Sequence, residues 1–223
     1  MTVAGGTTAG GGPLLLVGAS GLAREVLALA AETGRPVLGV LDDRHADLPP
    51  TVGGVPVLGP VAQASAYPSA DLLLCIGPSA SRAAVLARLD PGSRFAGVVD
   101  PSVRNPAGCP VGSGSILLAG VTITADARVG AHVVAMPGVT VTHDCWVDDL
   151  VTLAAGVSLG GGVRIGRAAY IGMNAAVHPA VRIGAGAIVG MGSVVLRDVP
   201  DGETWAGVPA RALAPRPAVG GTR

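Results

Sequence analysis

The sequence has no lysine and very few aromatic residues. All 15 basic residues are arginine, and they are balanced by 15 acidic residues, so no net charge favours nucleic acid or an anionic membrane as a partner. Phe, Trp and Tyr make up 2% of the chain, whereas apolar residues make up 49%. The core must therefore be aliphatic, and 223 residues are enough for one or two domains.

Long apolar runs and paired cysteines are also missing. Gly, Asp and Arg interrupt each apolar stretch before it reaches the length of a membrane span. Residues 1–12 lack the basic start and apolar centre of a signal peptide, and we interpret them, like residues 214–223, as a flexible tail. Cys75, Cys109 and Cys145 have no metal-ligand spacing, and an odd number of thiols suits a reducing compartment. We therefore expect a cytoplasmic protein without a metal.

The chain does contain an aliphatic residue at every sixth position across its second half. A helix would repeat every three or four residues, so this spacing excludes one. The residue four places later is mostly small or β-branched, and both features are typical of a parallel β-helix of hexapeptides. The aliphatic positions are Val111, Leu117, Ile123, Val129, Ala135, Val141, Val147, Leu153, Leu159, Ile165, Ile171, Val177, Ile183, Val189 and Val195.

Three hexapeptides close one triangular coil of eighteen residues, so the run predicts about five coils. Each residue then stacks on the residue eighteen places along the chain. Glycine directly follows the aliphatic residue at positions 112, 130, 160, 166, 172, 184 and 190. We expect these glycines to provide corner backbone angles that a side chain would resist.

Residues 13–97 follow a different pattern, in which strands alternate with helices. Apolar runs at 14–17, 37–41 and 72–76 predict buried strands, so we expect a small Rossmann-like parallel sheet. A Gly-Ala-Ser-Gly loop, an Asp pair and a glycine follow these three strands at one sheet edge, where such folds bind ligands. The convergence favours a binding site, although a loop with two glycines is also explained by a tight turn.

His143 is the histidine with an adjacent acid at a suitable place in the repeat. It lies between the inward-facing Val141 and Cys145, so its side chain should point outward, and Asp144 follows it. One coil later the chain has glycine at 160–162. A carboxylate can orient the imidazole, which can then remove a proton from an attacking amine or hydroxyl, while a glycine N–H can stabilise an oxyanion. His45, His132 and His178 are expected at the surface without a role.

Over residues 14–213 the chain resembles bacterial hexapeptide-repeat acetyltransferases of the sialic-acid O-acetyltransferase and UDP-4-amino-sugar N-acetyltransferase type. The resemblance is carried by the loop at 18–21, the strand ends at 41–43 and 76–77, and the His-acid-Cys motif at 143–145. It also includes Trp-Ala-Gly-Val-Pro-Ala-Arg at 205–211. It implies a Rossmann-like acceptor-binding domain at 13–97 and a left-handed β-helix acyltransferase domain at 98–213.

The resemblance also implies an activity. Acetyl would pass directly from acetyl-CoA to a sugar, nucleotide-sugar or related acceptor, without a metal, at sites between the subunits of a homotrimer. His143 would be the general base, Asp144 would polarise it, and the backbone of Gly161 would receive the thioester oxygen. Residues implied at acetyl-CoA are Thr152, Gly161, Met173 and Met191. Residues implied at the acceptor are Ser20, Gly21, Leu22, Asp42, Asp43 and Gly77.

Some positions depart from the family pattern, and they concern the acceptor more than the chemistry. Leu22 replaces a frequent His, Pro78 and Met136 replace Asn, and Thr152 replaces a His near CoA. The acceptor, the choice between N- and O-acylation and the acyl length stay open. Two alternatives also remain: a γ-type carbonic anhydrase-like zinc protein, which needs three His ligands, and a non-catalytic prism scaffold with a ligand-binding N-terminal domain.

Overall fold

The computed structural model describes residues 11–214, in which an α/β domain is followed by a three-sided parallel β-helix. The tail predictions for 1–10 and 215–223 lie outside the described residues. Within 11–214, no helix has both the length and the apolar character needed to cross a membrane.

The N-terminal domain is a five-stranded sheet with two α-helices. Its elements are β1 (Leu14–Val17), α1 (Gly21–Glu32), β2 (Val37–Leu41), β3 (Thr51–Val52), β4 (Val55–Gly59), β5 (Asp71–Leu74) and α2 (Ser79–Leu86), with 3₁₀ turns at His45–Asp47 and Val61–Ala66. The strand order is β3-β4-β2-β1-β5, and all neighbours are parallel except β3 and β4. The three predicted strands and the parallel sheet are therefore confirmed.

The antiparallel hairpin of β3 and β4 was not predicted. Gly53 and Gly54 form its turn, with φ of 56° and 84°. Two adjacent residues with positive φ match the twist of a two-residue hairpin. The Gly-Gly pair between valine-containing segments was the signal for this hairpin in the sequence.

The second half of the chain, which we call the prism (β6 to β22), has three sheets as its faces, and all their strands pair in parallel except β21 and β22. Face 1 contains β6 (Val98–Val99), β7 (Ile116–Leu117), β10 (Val134–Ala135), β13 (Thr152–Leu153), β16 (Tyr170–Ile171), β19 (Ile188–Val189), β21 (Thr204–Gly207) and β22 (Ala210–Ala212). Face 2 contains β8 (Thr122–Ile123), β11 (Thr140–Val141), β14 (Ser158–Leu159), β17 (Ala176–Val177) and β20 (Val194–Val195). Face 3 contains β9 (Arg128–Val129), β12 (Trp146–Val147), β15 (Arg164–Ile165) and β18 (Arg182–Ile183).

The register of the prism confirms the predicted coil of eighteen residues. Val141, for example, pairs with Ile123 below it and Leu159 above it. Of the fifteen aliphatic positions, Val111 is half-buried and all the others are buried in one continuous core. The second small position is inward as well, as Val157 and Val163 illustrate. Each coil therefore buries the apolar face of its neighbours, which is how repeats too small to fold alone become stable.

The glycines after the aliphatic residues have a different role from the one predicted. A Cβ at Gly166 would lie 2.6 Å from the backbone nitrogen of Ala185, and one at Gly172 would lie 2.5 Å from that of Met191. Close approach of the next coil therefore excludes a side chain. Positive φ occurs two residues further on, as at Gly162 with φ of 71° and Asp144 with φ of 60°. The expectation that the first glycine supplies the corner angle was wrong.

The motif at 205–211 closes the C-terminal end of the prism. β21 and β22 form an antiparallel hairpin that ends the stack on β19. Trp205 is 9% exposed and belongs to the core cluster, while its Nε1–H donates a 2.7 Å hydrogen bond to Glu203. A terminal cap of this kind covers the last coil that residues 11–214 form.

Candidate active site

His143 lies at the corner between faces 2 and 3, on the turn that follows β11. The neighbouring coil holds this turn: the Thr142 hydroxyl donates a 2.7 Å hydrogen bond to the carbonyl of Leu159, and the Gly162 N–H donates one of 2.9 Å to the carbonyl of His143. The imidazole therefore stands on a fixed backbone. It points outward as predicted, with 66% of the side chain exposed.

The imidazole of His143 forms a hydrogen bond with the next residue along the chain. Nδ1 of His143 is 2.7 Å from Oδ2 of Asp144, whose left-handed backbone turns its carboxylate back toward the ring. An ionised carboxylate only accepts hydrogen bonds, so this contact assigns the ring proton to Nδ1. Nε2 is then the free basic atom, which is the arrangement that a general base needs.

Gly161 lies on the coil above His143 and almost touches the ring. A Cβ at Gly161 would be 2.5 Å from Nε2 of His143 and closer still to Cε1. The Gly161 carbonyl accepts a hydrogen bond from Ala180, but its N–H donates none to any residue in 11–214. A basic nitrogen and a free backbone donor thus lie side by side, and together they could activate a nucleophile and stabilise an oxyanion.

Met173 and Met191 are stacked eighteen residues apart at another corner, between faces 1 and 2. Both are exposed, Met191 to 73%. This corner and the corner of His143 are the two borders of face 2. The structure therefore brings the methionines together, but separates them from His143 within one chain.

Thr152 lies elsewhere and is 3% exposed. Its hydroxyl donates to the carbonyl of Gly77 at 2.7 Å and accepts from Ser79 at 2.9 Å and Arg82 at 3.0 Å. All these partners belong to the N-terminal domain. The structure thus places Thr152 inside the contact between the two domains, where its hydroxyl is not available to a ligand, and does not place it in an open groove.

The predicted acceptor residues do meet at one edge of the N-terminal sheet. Ser20 caps α1 by accepting from the Leu22 N–H, and its hydroxyl donates to the carbonyl of Cys75 at 2.7 Å. Asp42 accepts a 2.8 Å hydrogen bond from the N–H of Ala19. The loop after β1 is therefore fixed by the ends of β2 and β5, as the convergence of these segments predicted.

Most of these acceptor candidates have internal partners. Leu22 is buried against the prism, whereas Gly21 is exposed at the start of α1. Asp43 forms a 2.7 Å ion pair with Arg88, and this hydrogen bond holds the pKa of the carboxyl below its ordinary value. The carbonyl of Gly77 accepts from Thr152 and from Arg82. A ligand at this edge would therefore meet backbone groups and Gly21 more than free side chains.

Arg82 is a central residue that the sequence did not reveal. It is fully buried, and its guanidinium donates hydrogen bonds to the carbonyls of His132, Leu150 and Val151 in the prism. It also donates to the carbonyls of Ile76 and Gly77 in the predicted acceptor loop. Burial lowers its pKa to about 10. Arg82 thus joins the two domains. In the sequence it is one arginine among small residues of a predicted helix, a pattern that does not indicate a buried position.

The expectation that His132 lies at the surface was wrong. It is 8% exposed and packs edge-to-face on Phe95, with ring centroids 4.6 Å apart. Burial lowers the pKa of its imidazole, opposed by the charge of Asp149. His45 and His178 are exposed, as expected. Within 11–214, no group of three or more His, Cys, Asp or Glu residues is arranged to hold a metal ion.

The N-terminal domain covers the early strands of face 1, whereas His143 lies at the opposite corner of the triangle. Residues of α1 belong to the same buried apolar cluster as Ile116 and Val134 of face 1, and Ser79 at the start of α2 donates a hydrogen bond to Thr152. Because faces 2 and 3 meet at His143, the predicted acceptor edge and the imidazole are on different sides of the same prism. One chain by itself does not unite them.

Comparisons with known proteins agree with both halves of the fold. Residues 13–89 match the family described as PglD N-terminal domain, and residues 162–197 match the bacterial transferase hexapeptide family with six repeats. A comparison with curated protein sequences gives no match.

Solved structures cover almost the whole chain. PerB from Caulobacter crescentus, in complex with CoA and GDP-perosamine, is 32% identical, with a TM-score of 0.83 over 92% of this chain and 99% of that one. The acetyltransferase domain of PglB from Neisseria gonorrhoeae, in complex with acetyl coenzyme A, is 30% identical, with a TM-score of 0.85 over 92% and 100%. WeeI from Acinetobacter baumannii is 29% identical, with a TM-score of 0.78 over 90% and 99%.

Proposed function

The chain belongs to the bacterial hexapeptide-repeat sugar acetyltransferases and is an acyltransferase, and we propose that it moves acetyl from acetyl-CoA to the amino group of a nucleotide-linked amino sugar. The co-substrate follows from similar structures that hold CoA or acetyl coenzyme A. The acceptor class is supported by PerB, whose structure holds GDP-perosamine. The coil of the prism is proposed to be left-handed, as in the family.

The observation that carries the mechanism is the 2.7 Å contact of His143 Nδ1 with Asp144 beside the free N–H of Gly161. Nε2 of His143 removes a proton from the acceptor amine as its nitrogen attacks the thioester carbonyl. The Gly161 N–H stabilises the oxyanion that forms on the carbonyl oxygen. The C–N bond is then complete, the C–S bond breaks, and the leaving thiolate takes the proton from the imidazolium.

A homotrimer would unite groups that one chain keeps apart. Face 2 carries small, uncharged outward residues, and its two borders carry His143 with Gly161 and Met173 with Met191. If face 2 of each subunit faces a threefold axis, the His143 corner of one subunit adjoins the methionine corner of the next. Acetyl-CoA would lie between these corners. The N-terminal domain on face 1 of the second subunit would hold the acceptor on the same side.

The mechanism is tested by replacing the base. His143→Ala should lower kcat by roughly 10² to 10⁴, as expected for loss of a general base, and should leave the oligomer intact. The matched control is Asp126→Asn, since Asp126 occupies the same left-handed corner position one coil below Asp144 and has no histidine partner. Thiol release from acetyl-CoA should be measured with GDP- and UDP-linked amino sugars. Near-wild-type turnover in His143→Ala would reject the mechanism.

The class of acceptor is tested separately with paired substrates. Each amino sugar should be compared with the sugar that has a hydroxyl at the same carbon, with and without the nucleotide. We expect turnover only with the amine and a much lower KM when the nucleotide is present. Faster reaction of the hydroxyl sugars would assign O-acetylation instead.

A further inference from the structure

Face 3 of the prism carries an unusual ladder of large side chains. Arg128, Trp146, Arg164 and Arg182 occupy the same outward position on β9, β12, β15 and β18, and their strands pair in register. Neighbouring parallel strands are about 4.8 Å apart, so Arg164 and Arg182 place two like charges side by side. Like charges in adjacent strands disfavour the sheet unless an anion compensates them.

The guanidinium groups of the two upper arginines, Arg164 and Arg182, have no partner among residues 11–214. Arg128 is placed 5.5 Å from the ring centroid of Trp146, and Arg167 next to the ladder pairs with Asp149 at 3.1 Å. Arg164 and Arg182 form neither an ion pair nor a side-chain hydrogen bond with any residue in 11–214. These two guanidiniums are therefore the ones free to bind a ligand.

A groove of about 550 Å³ runs along these arginines. Its acidic residues are Asp148, Asp198 and Asp201, and each has a carboxylate oxygen that accepts a backbone N–H at 2.7 to 2.9 Å. The carboxylates thus stabilise the turns around the groove. Asp198 accepts from the backbone N–H of Arg182, but none of the three forms an ion pair with the guanidinium of Arg164 or Arg182. A guanidinium offers two parallel donors to a phosphate and is well suited to such a ligand.

We propose that Arg164 and Arg182 bind the phosphate groups of the CoA moiety, an inference that rests on the proposed function. Arg164 follows Gly161 by three residues, and Arg182 lies one coil higher, so the ladder leads away from the thioester position toward the C-terminal coils. Arg182 is two coils above the coil of His143, or about 10 Å along the axis. The pantetheine arm of CoA would span this separation.

The direction of the ladder also separates CoA from the acceptor. The N-terminal domain packs on the early strands of face 1, at Ile116, Val134 and Thr152. Above them, Ile188, Met173 and Met191 are exposed. In the proposed trimer, this apolar surface of one subunit would adjoin face 3 of the next at the height of Arg164 and Arg182. The phosphates of CoA would then contact the cationic surface of face 3, and the remainder of the molecule would contact the apolar surface of the neighbouring subunit.

The test compares acetyl-CoA with S-acetylpantetheine, which has the thioester but no phosphate. Arg164→Ala and Arg182→Ala should each raise the KM for acetyl-CoA about tenfold, as expected for loss of a charged hydrogen-bond donor, while their rates with acetylpantetheine match wild type. Arg→Lys at either position should restore part of the affinity. Arg128→Ala is the matched control from the same ladder and should leave both substrates unaffected.

Titration of CoA itself, without an acceptor, separates this proposal from the proposed function. Weaker CoA binding in the Arg164→Ala, Arg182→Ala double variant supports the ladder even if no amino sugar is acetylated. Unchanged CoA affinity overturns it, and so does an equal loss with acetylpantetheine. A raised KM for the nucleotide-linked acceptor alone would assign the arginines to the acceptor phosphates and also overturn it. Absence of turnover in the wild-type protein would count against the proposed function only.

Discussion

Gly161 lies so close above His143 that a Cβ at Gly161 would come within 2.5 Å of Nε2 of the imidazole. Because Gly161 has no side chain, the imidazole ring of His143 on the coil below can occupy this position. The same absence keeps the Gly161 N–H accessible beside the ring. The proposed mechanism therefore uses Gly161 in two ways, and both depend on the eighteen-residue register of the prism.

The first prediction concerns this glycine. Gly161→Ala should lower kcat at least tenfold, because the new methyl group must displace the imidazole of His143 from Asp144. The φ of Gly161 is not positive, so the substitution should not strain the turn. Steady-state kinetics measures the loss of kcat, and thermal unfolding tests whether the turn is strained. In a His143→Ala background the same substitution should have little further effect on kcat, and an additive loss would contradict the explanation.

The second prediction separates the roles of the His–Asp pair. Asp144→Asn should lower kcat by about tenfold, less than His143→Ala, because an amide still holds the ring but no longer compensates the imidazolium. The ratio of the two kcat losses is the measurement. Equal losses in the two variants would mean that Asp144 contacts the reacting groups directly.

The third prediction concerns the joint between the domains. Arg82→Ala should destabilise the protein by roughly 3 kcal/mol, because buried carbonyls on both domains lose a charged donor. Arg88→Ala is the control, and the loss of its exposed ion pair with Asp43 should destabilise the protein far less than Arg82→Ala does. Urea unfolding measures the free energy of unfolding of both variants. Arg82→Ala should also raise the KM for the acceptor, since Arg82 holds the carbonyls of Ile76 and Gly77.

The fourth prediction follows from the buried histidine. The pKa of His132 is lower in the folded protein than its ordinary value of about 6.5, so the unfolded chain binds the proton more readily. The free energy of unfolding therefore rises with pH between the pKa of the folded state and that of the unfolded state. Conversely, the folded state loses this stability as the pH falls through about 6.5. Urea midpoints from pH 5 to 8 should show a weaker slope in His132→Asn. An unchanged slope in His132→Asn would contradict this explanation.

The fifth prediction tests face 2 as the contact between subunits. Ala176→Arg places a charge in the middle of a surface whose outward residues are small and uncharged. Light scattering should show dissociation of the proposed trimer, and activity should fall with it because the proposed site needs two corners from different subunits. Ala62→Arg, on the exposed surface of the N-terminal domain, should keep both the assembly and the activity. A trimer that survives Ala176→Arg would place the contact elsewhere.

The sequence predicted the prism well because its period is local and strict. Each aliphatic residue identifies its neighbours eighteen places away, so the outward position of His143 and its stacking under Gly161 followed from counting. The strands of the N-terminal domain were equally visible as apolar runs. In these cases the sequence pattern follows directly from the packing, because residues that face the core must be apolar.

The structural features that the sequence did not predict arise from contacts between segments far apart in the chain. Arg82 and Thr152 are separated by 70 residues, and nothing in either segment indicates that a buried guanidinium joins them. The surface expectation for His132 failed for the same reason, because Phe95 from the other domain covers it. The role of the glycines at 166 and 172 was missed because crowding by the next coil, unlike a turn, leaves no separate mark in the sequence.

The eighteen-residue register also constrains how this chain can change in length. Deleting six residues between His143 and Gly161 would shift every later segment to the next face, so Gly161 would no longer lie above the imidazole. Deleting a whole coil would restore the faces but remove the glycine itself. Insertions and deletions inside the prism are therefore tolerated only as whole coils away from these two residues or as loops that bulge from a corner.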